Sequence, residues 1–571
     1  MGFTSTLESI PMQRDLKELA NTPFDLVVIG GGIYGAFSAW DAAMRGLSVA
    51  LIDRGDFGGA TSFNSLRIIH GGLRYVQHLD FRRMRQSIRE RATLLRIAPH
   101  LIRPLPCLVS TCGHLKRGRE LISLALRIND LIGFDRNRGQ PLEKYLPDSH
   151  TISREECLRL VPGLRREALT GGAVWFDAQI RNSERLVLSV IHSAVNAGTR
   201  AANHVEAIGF LLDDSRVVGV KVRDNLTGDL FEVRAKVVLN ASGPWVDQVV
   251  ERLGRCRRYR PMRWSRAVNL VVRREIFPDH AVGLWSQRGS GGGDRTGKGS
   301  SRLLLIVPWR GYSLIGTSHT PHPDAPDDFH VTRAEVSELL EEINAAYPPA
   351  SIRPDDVSFF LGGLLPMEGA RDDGRDVILV KRYRICDHME EDGVEGLISV
   401  IGVKLTTARD VAQRAIDRVF RKLGKEPPAC RTADVPIHGG ETGPFEDYQA
   451  SELRRDPLRR LDPEISRRLV CAHGSAYPDV LKLVDSVPGG EKALTPSSKI
   501  VRGEALFSVR EEMARKLSDL IMRRFGLGML GDPGDRLLNA CADLMGDELG
   551  WNFDRKEREI RETKATFTLI D

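Results

Sequence analysis

Apolar and polar positions repeat along this chain with two periods, and the change from one to the other marks out its elements. The first apolar run, FDLVVIG at 24–30, predicts a strand buried on both faces. A helical period follows from Ile33 to Arg45, with Gly46 as a natural stop, and LSVALID at 47–53 predicts the next buried strand. This strand–helix–strand unit takes about 30 residues, as a right-handed crossover requires.

Downstream, residues 82–98 predict a basic amphipathic helix and 183–197 a second helix. Short strands across 204–240 carry a hairpin signal at Asn225–Gly228 and end in AKVVLNASGPW. Residues 267–317 predict sheet, interrupted by a glycine-rich loop from Arg288 to Ser301, and 332–346 predict a helix. The strand GLISVIG then runs into a helix beginning near Lys404. The stretch Lys425–Pro436 has the composition of a linker, and the helical, Arg- and Glu-rich remainder predicts a separate domain. The expectation is an α/β protein with an N-terminal extension at 1–22, a main body at 23–425 and a helical C-terminal domain at 426–571.

Charge and composition narrow the function. Over 571 residues, 82 basic side chains nearly balance 76 acidic ones, a net +6 that does not call for nucleic acid but suits an anionic substrate or an acidic membrane surface. The eight cysteines form no CxxC and show no zinc-ligand spacing with histidine, so no metal is expected and free thiols in a reducing compartment are. Residues 1–22 lack a secretory apolar core, and no run of about 18 apolar residues occurs. The expected location is the cytoplasm, or peripherally on the inner face of the cytoplasmic membrane.

The chemistry begins at Gly30-Gly31-Gly32-Ile33-Tyr34-Gly35, a G-x-G-x-x-G placed between a buried strand and a helix and answered by Asp53 at the end of the next strand. Gly30 permits the tight turn, Gly32 lets a pyrophosphate approach the backbone, and Gly35 lets the helix pack on the strand. The helix N-terminus offers amides and a positive dipole end to phosphate, and Asp53 a carboxylate to a ribose hydroxyl. This fingerprint does not choose between FAD and NAD. Two distant strand ends, VVLNASGPW at 237–245 and GVKLTT at 402–407, favour a cofactor lying along the sheet with a helix N-terminus aimed at a flavin ring.

The segment Ala60-Thr61-Ser62 … Ile69-His70-Gly71-Gly72-Leu73-Arg74-Tyr75 closely resembles the ATS…HGGLRY signature of FAD-dependent glycerol-3-phosphate dehydrogenases. NASGPW at 240–245, PWRGYSLIGTS at 308–318 and KLTTAR at 404–409 follow in that family's order. The resemblance covers roughly 24–425 and continues more weakly beyond. It implies an FAD-binding, Rossmann-like domain interlaced with an antiparallel-sheet substrate domain (mainly 85–180 and 255–365) and a helical C-terminal domain. It also implies transfer of a C2 hydride from a small hydroxylated, phosphorylated substrate to FAD, with a quinone or other acceptor taking the electrons. Peripheral membrane contact and a homodimer fit the same family picture.

Residue by residue, the resemblance assigns His70, Arg74 and Lys404 to catalysis: a base, a phosphate-binding fork and a cation at the phosphate or flavin edge. His70 and Arg74, with Thr317 and Ser318, are the expected substrate contacts. FAD is expected on Gly30, Gly32, Ile33, Tyr34 and Gly35, on Asp53, Arg54, Thr61, Ser62 and Val205, on Ala241, Ser242, Gly243 and Trp245, and on Gly402, Lys404, Leu405 and Thr406.

The match breaks on the substrate side. Where the family has G-V-R-P this chain has Gly363-Leu364-Leu365-Pro366, so Leu365 replaces a phosphate-gripping arginine. GSH becomes Ala267-Val268-Asn269, TTD becomes Thr317-Ser318-His319, and GGKLTT gains Val403. Arg310, Lys381 and His319 are the candidate replacements for the lost cation. Other readings left open are a dehydrogenase or oxidase for another polyol phosphate or a hydroxy acid, an amine-oxidising relative, and a flavin-binding regulator without turnover. Gly292–Gly299 (GGDRTGKG) nearly spells a P-loop but ends in Gly299 where a hydroxyl must hold magnesium, and reads as a surface loop. The amphipathic run Phe507–Met522, followed by Arg523-Arg524, is expected to pack on the main body, and 554–563 to be a charged helix end.

Overall fold

The computed structural model describes residues 10–114, 118–254, 259–287, 301–371 and 376–571. The P-loop-like segment Gly292–Gly299 lies outside them.

Phe24–Ile29 pairs in parallel with Val49–Ile52 on one side and with the end of Leu230–Asn240 on the other. Leu397–Ile401 and Arg200–Ala202 extend this parallel sheet outward, and Arg384–Asp387 closes one edge antiparallel. Every residue of Val49–Ile52 and Leu397–Ile401 is buried, as strands covered on both faces require. One cover is the helix Ile33–Met44, whose buried face includes Ala36, Ala39, Ala42 and Ala43 and packs with Ser183–Asn196 and Ala408–Lys422. Leu230–Asn240 has two roles. Its first half pairs antiparallel with Arg216–Asp224 through the turn at Asn225–Gly228, and its second half enters the parallel sheet.

Among the described residues a second sheet runs in the order Asp376–Leu379, Val357–Arg371, Arg263–Val272, Tyr312–His322, Ser301–Trp309, Ala281–Gln287, Ile102–Cys112, Leu169–Ile180, Ile68–Ile69. It is antiparallel except where Ala281–Gln287 meets Ile102–Cys112 in parallel. Its strands come from stretches interleaved with those of the first sheet.

Two expectations shift. The helix expected near Lys404 starts at Ala408, because the Tyr34 hydroxyl holds Val403 and Lys404 in a turn: it donates to the Lys404 carbonyl at 2.6 Å and accepts both amides at 3.2 Å. The linker-like stretch is pinned rather than loose, since Thr432 is buried and accepts from Arg409 at 3.2 Å. Beyond it, helices such as Arg502–Arg510 and Asp535–Leu549 bury Leu506, Val509, Leu538 and Met545 in one cluster with Trp309, Leu314, Phe359 and Leu361 of the second sheet. No helix among the described residues is long and apolar enough to cross a membrane.

Candidate active site

A cavity of about 390 Å³ opens at the carboxyl ends of the parallel strands, where the order of an open α/β sheet reverses and ligands are received. Its floor is the glycine turn. Gly30 has φ +102°, and a Cβ there would lie 2.6 Å from the Ala241 carbonyl oxygen. A Cβ on Gly35 would lie 1.8 Å from the Gly30 carbonyl oxygen, so this glycine sets the helix-to-strand distance behind the wall. The helix N-cap is Gly32, which has no side chain to cover the first turn, and the Ile33 amide donates to the Ser62 hydroxyl at 3.0 Å.

Around this turn, Gly30, Gly32, Ile33, Tyr34, Asp53, Arg54, Thr61 and Ser62 line the cavity, as do Ala241, Ser242, Gly243 and Trp245 and, at its far end, Gly402, Lys404 and Leu405. Gly35, Val205 and Thr406 lie behind the lining; Val205 and Thr406 are buried, and Glu206 and Ala207 face the cavity in place of Val205. Asp53 accepts the Gly31 amide at 2.6 Å and the Gly55 amide at 2.8 Å. Burial raises its carboxyl to about 6 despite those two bonds. Arg54 stacks on Trp245 at 4.4 Å and pairs with Asp327. The glycine cradle, the uncapped helix and the carboxylate fit the ADP half of a dinucleotide, and Lys404 lines the same cavity.

His70, Arg74, Thr317 and Ser318 do not line this cavity. His70 follows the strand Ile68–Ile69, whose partners Gln179 and Ala178 bring Asp177 opposite it. Asp177 accepts from His70 Nδ1 at 3.2 Å, the Gly71 amide at 2.6 Å, Arg91 at 2.7 Å and the Trp175 indole at 3.3 Å. Burial would raise this carboxyl, but the bond from His70, the Arg91 charge and the Gly71 amide together hold it far below the usual range. The imidazole itself is 52% exposed, so one ring nitrogen is anchored and the other faces outward. Asp177 was not singled out by the motifs. Its signal was a lone acid inside the apolar strand Leu169–Ile180, answered by Arg91 on a buried helix face.

Arg74 stands exposed on the short helical turn Leu73–His78 and forms no ion pair among the described residues. The same turn carries Tyr75, whose ring takes the Arg83 guanidinium at 4.3 Å and the Lys404 ammonium at 4.2 Å. Burial first, and then the Arg83 charge, lower the Lys404 amine to about 7. Lys404 therefore joins the cavity to the turn that carries Arg74.

Thr317 donates to Asn269 at 2.6 Å and Ser318 to the Val268 carbonyl at 3.4 Å, so both hydroxyls bind the adjacent strand, within Tyr312–His322 rather than at a sheet turn. Leu365 lines the cavity, opposite Ser265. Arg310 does not replace the lost cation: it sits at the hairpin tip, at the far end of these strands, stacked on Trp309 and donating to the Gly526 carbonyl at 3.1 Å. His319 lies 3.4 Å from the Ser265 hydroxyl. Lys381 is exposed and adjoins Val380, whose amide donates to the Pro366 carbonyl at 2.9 Å, which puts it one residue from Leu365.

Asp56, His204 and Asp519 bring three ligand-type side chains together. Arg523 and Arg524 already occupy these carboxylates, so the group reads as an ion-pair cluster.

Comparison with known proteins places the chain in a family. Residues 25–403 fit the model for FAD dependent oxidoreductases, and 430–556 that for the C-terminal domain of alpha-glycerophosphate oxidase. A glycerol-3-phosphate dehydrogenase of Synechocystis is 32% identical over 96% of this chain and 97% of its own. The chain belongs to the FAD-dependent glycerol-3-phosphate dehydrogenase family. Glycerol-3-phosphate dehydrogenase 2 of Mycobacterium bovis is 31% identical, covering 96% of this chain and 89% of its own. The FAD complex of the Bacillus halodurans glycerol-3-phosphate dehydrogenase superimposes with a TM-score of 0.75 at 26% identity, over 96% of this chain and 95% of that one. The protein is thus an FAD oxidoreductase of mixed α/β fold with a helical C-terminal domain, as the motifs implied.

Proposed function

We propose that this family member oxidises the secondary hydroxyl of sn-glycerol 3-phosphate to dihydroxyacetone phosphate and passes the electrons to a quinone. The observation that carries the reading is the His70–Asp177 pair: a half-exposed imidazole fixed through Nδ1 by a buried carboxylate, on the segment whose Tyr75 touches Lys404 of the cavity lining. FAD, when bound, would supply the acceptor for the hydride that leaves C2. His70 Nε2 takes the C2 hydroxyl proton as the carbonyl forms, and Asp177 fixes the tautomer and stabilises the resulting imidazolium. Arg74, which forms no ion pair among the described residues, and Lys404 hold the phosphate; Lys381 stands in for the arginine that the family motif has where this chain has Leu365. Gly30–Gly35 and Asp53 would hold the ADP half of FAD.

The acceptor side has its own support. The helix Arg119–Ile132 packs Ile122 and Leu126 on Leu73, behind the turn of Arg74, and turns Leu121, Leu124 and Leu131 outward. Phe134, 79% exposed, continues this stripe, and exposed Arg82, Arg89 and Arg127 stand on this helix and its neighbour. An apolar stripe among cations suits an anionic lipid surface, where a quinone would be met.

Anaerobic mixing tests the reaction. Glycerol 3-phosphate should bleach the flavin absorbance rapidly, while glycerol and amino acids leave it unchanged. Bleaching by an amino acid, with ammonia released, would overturn the assignment. For the surface, Leu124→Glu/Leu131→Glu should lose co-sedimentation with phosphatidylglycerol vesicles at unchanged flavin content.

A further inference from the structure

The helical domain is not merely packed against the sheets; it reaches the cofactor cavity. Arg523 lines the cavity and, among the described lining residues, is the one contributed from beyond residue 405. It lies on a π-helical turn, Asp519–Arg524, closed by the Phe525 amide on the Leu520 carbonyl at 3.0 Å. Such wide turns are rare and recur at functional sites. The turn presents two successive arginines to one carboxylate. Arg524 grips Asp56 with both terminal nitrogens, at 2.6 and 2.9 Å. Arg523 spends Nε on Asp56 at 2.5 Å and Nη2 on Asp519 at 2.8 Å. Its Nη1 has no protein acceptor among these bonds and lies 4.0 Å from where a Cβ on Gly59 would stand.

Three features give this nitrogen a purpose. Gly55, Asp56, Gly58 and Gly59 belong to the loop after Val49–Ile52 and line the cavity beside Asp53, the carboxylate at the end of that strand. Arg524 already holds Asp56 with both terminal nitrogens, and Arg523 meets Asp56 and Asp519 through Nε and Nη2, so these ion pairs are complete without Nη1. Arg523 is also locked in place by two carboxylates, and a preorganised fork loses little freedom when it binds an oxyanion.

We propose that Arg523 of the C-terminal domain is a cofactor-binding residue whose Nη1 donates to the ADP half of FAD, so that domain docking and FAD binding stabilise each other. The inference rests on FAD occupying the glycine-turn cavity. Linkage makes the coupling reciprocal: whatever the docked domain adds to FAD affinity, bound FAD adds to docking.

The test uses full-length apoprotein, titrated with FAD, ADP and FMN, with binding followed by flavin fluorescence and, for ADP, by calorimetry. Arg523→Met should weaken FAD and ADP binding by about ten- to a hundredfold, the loss of one charge-assisted bond, and leave FMN within about twofold. ADP should raise the melting temperature of the parent protein and not of the variant. If Arg523→Met fails to fold, Arg523→Lys keeps a cation against Asp56 while losing the fork, and should show the same selectivity to a smaller degree. Equal losses for FAD and FMN, or no loss for FAD, would overturn the inference. Failure of the parent protein to bind FAD at all would instead overturn the site assignment on which it depends.

Discussion

The two ends of the active cleft are built from different materials. The ADP end is backbone: three glycines, an uncapped helix and strand ends, with Asp53 held by two amides. The proposed substrate end is side chains drawn from separate segments, with His70 positioned by Asp177, Asp177 by Arg91, and Lys404 resting on Tyr75. A backbone cradle demands absent side chains at fixed spacing, which tolerates almost no substitution. A side-chain cluster can exchange one member for another, and Leu365 stands where the family motif implies an arginine.

The contrast predicts where change is fatal. Gly35→Ala places a Cβ 1.8 Å from a backbone oxygen that cannot swing away. The variant should purify without flavin, read as the flavin-to-protein absorbance ratio; a stoichiometrically yellow preparation would show that the turn is not the cofactor's seat. Asp177→Asn acts at the other end. It should leave flavin content intact while lowering kcat with glycerol 3-phosphate by on the order of a hundredfold, the scale of lost general-base catalysis. It also strands Arg91, so its melting temperature should fall, and the rates belong well below that temperature. A kcat within a few-fold of the parent would mean that His70 needs no orienting partner.

The same contrast decides what the amino-acid order could reveal. Gly30, Gly32, Gly35 and Asp53 lie within one strand–helix–strand unit, so spacing alone announces them, and the helices at 33–44, 81–97 and 183–196 followed their apolar period to within about two residues. The His70–Asp177 pair is made by strand register across a gap of 107 residues, and no local pattern encodes it. Arg523 reaches Asp56 across 467 residues from what looked like an ordinary amphipathic run. The sequence near Lys404 predicts helix where the structure has a turn, because the hydroxyl that breaks it belongs to Tyr34, 370 residues away.

A gain of function is the next step down in size. Leu365→Arg restores a fork at the cavity wall facing the Ser265 strand. One charge-assisted contact to phosphate should lower KM for glycerol 3-phosphate by about tenfold, with little change in kcat. An unchanged or raised KM would indicate that Lys381 and Arg74 already hold the phosphate where the arginine would stand.

The smallest effect separates the two ends by pH. Lys404 titrates near 7, lowered by burial and then by Arg83, so it is mostly charged at pH 6 and mostly neutral at pH 8. An amine that loses its charge loses its pull on an anion, so KM for a phosphorylated substrate should rise as pH increases through 7. The rise should be on the order of fivefold, equivalent to about 1 kcal/mol. The substrate's second phosphate ionisation, near 6, opposes this, because the ligand becomes more anionic as the lysine becomes less cationic. Lys404→Arg separates the two contributions: its guanidinium stays charged throughout and should flatten the rise, leaving only the substrate's own titration. FAD affinity at the ADP end should change only toward pH 6, where Asp53, raised by burial to about 6, takes up a proton, and should stay level above pH 7. A KM profile identical in the parent and in Lys404→Arg would place Lys404 outside the phosphate's reach and leave Arg74 and Lys381 to carry that charge.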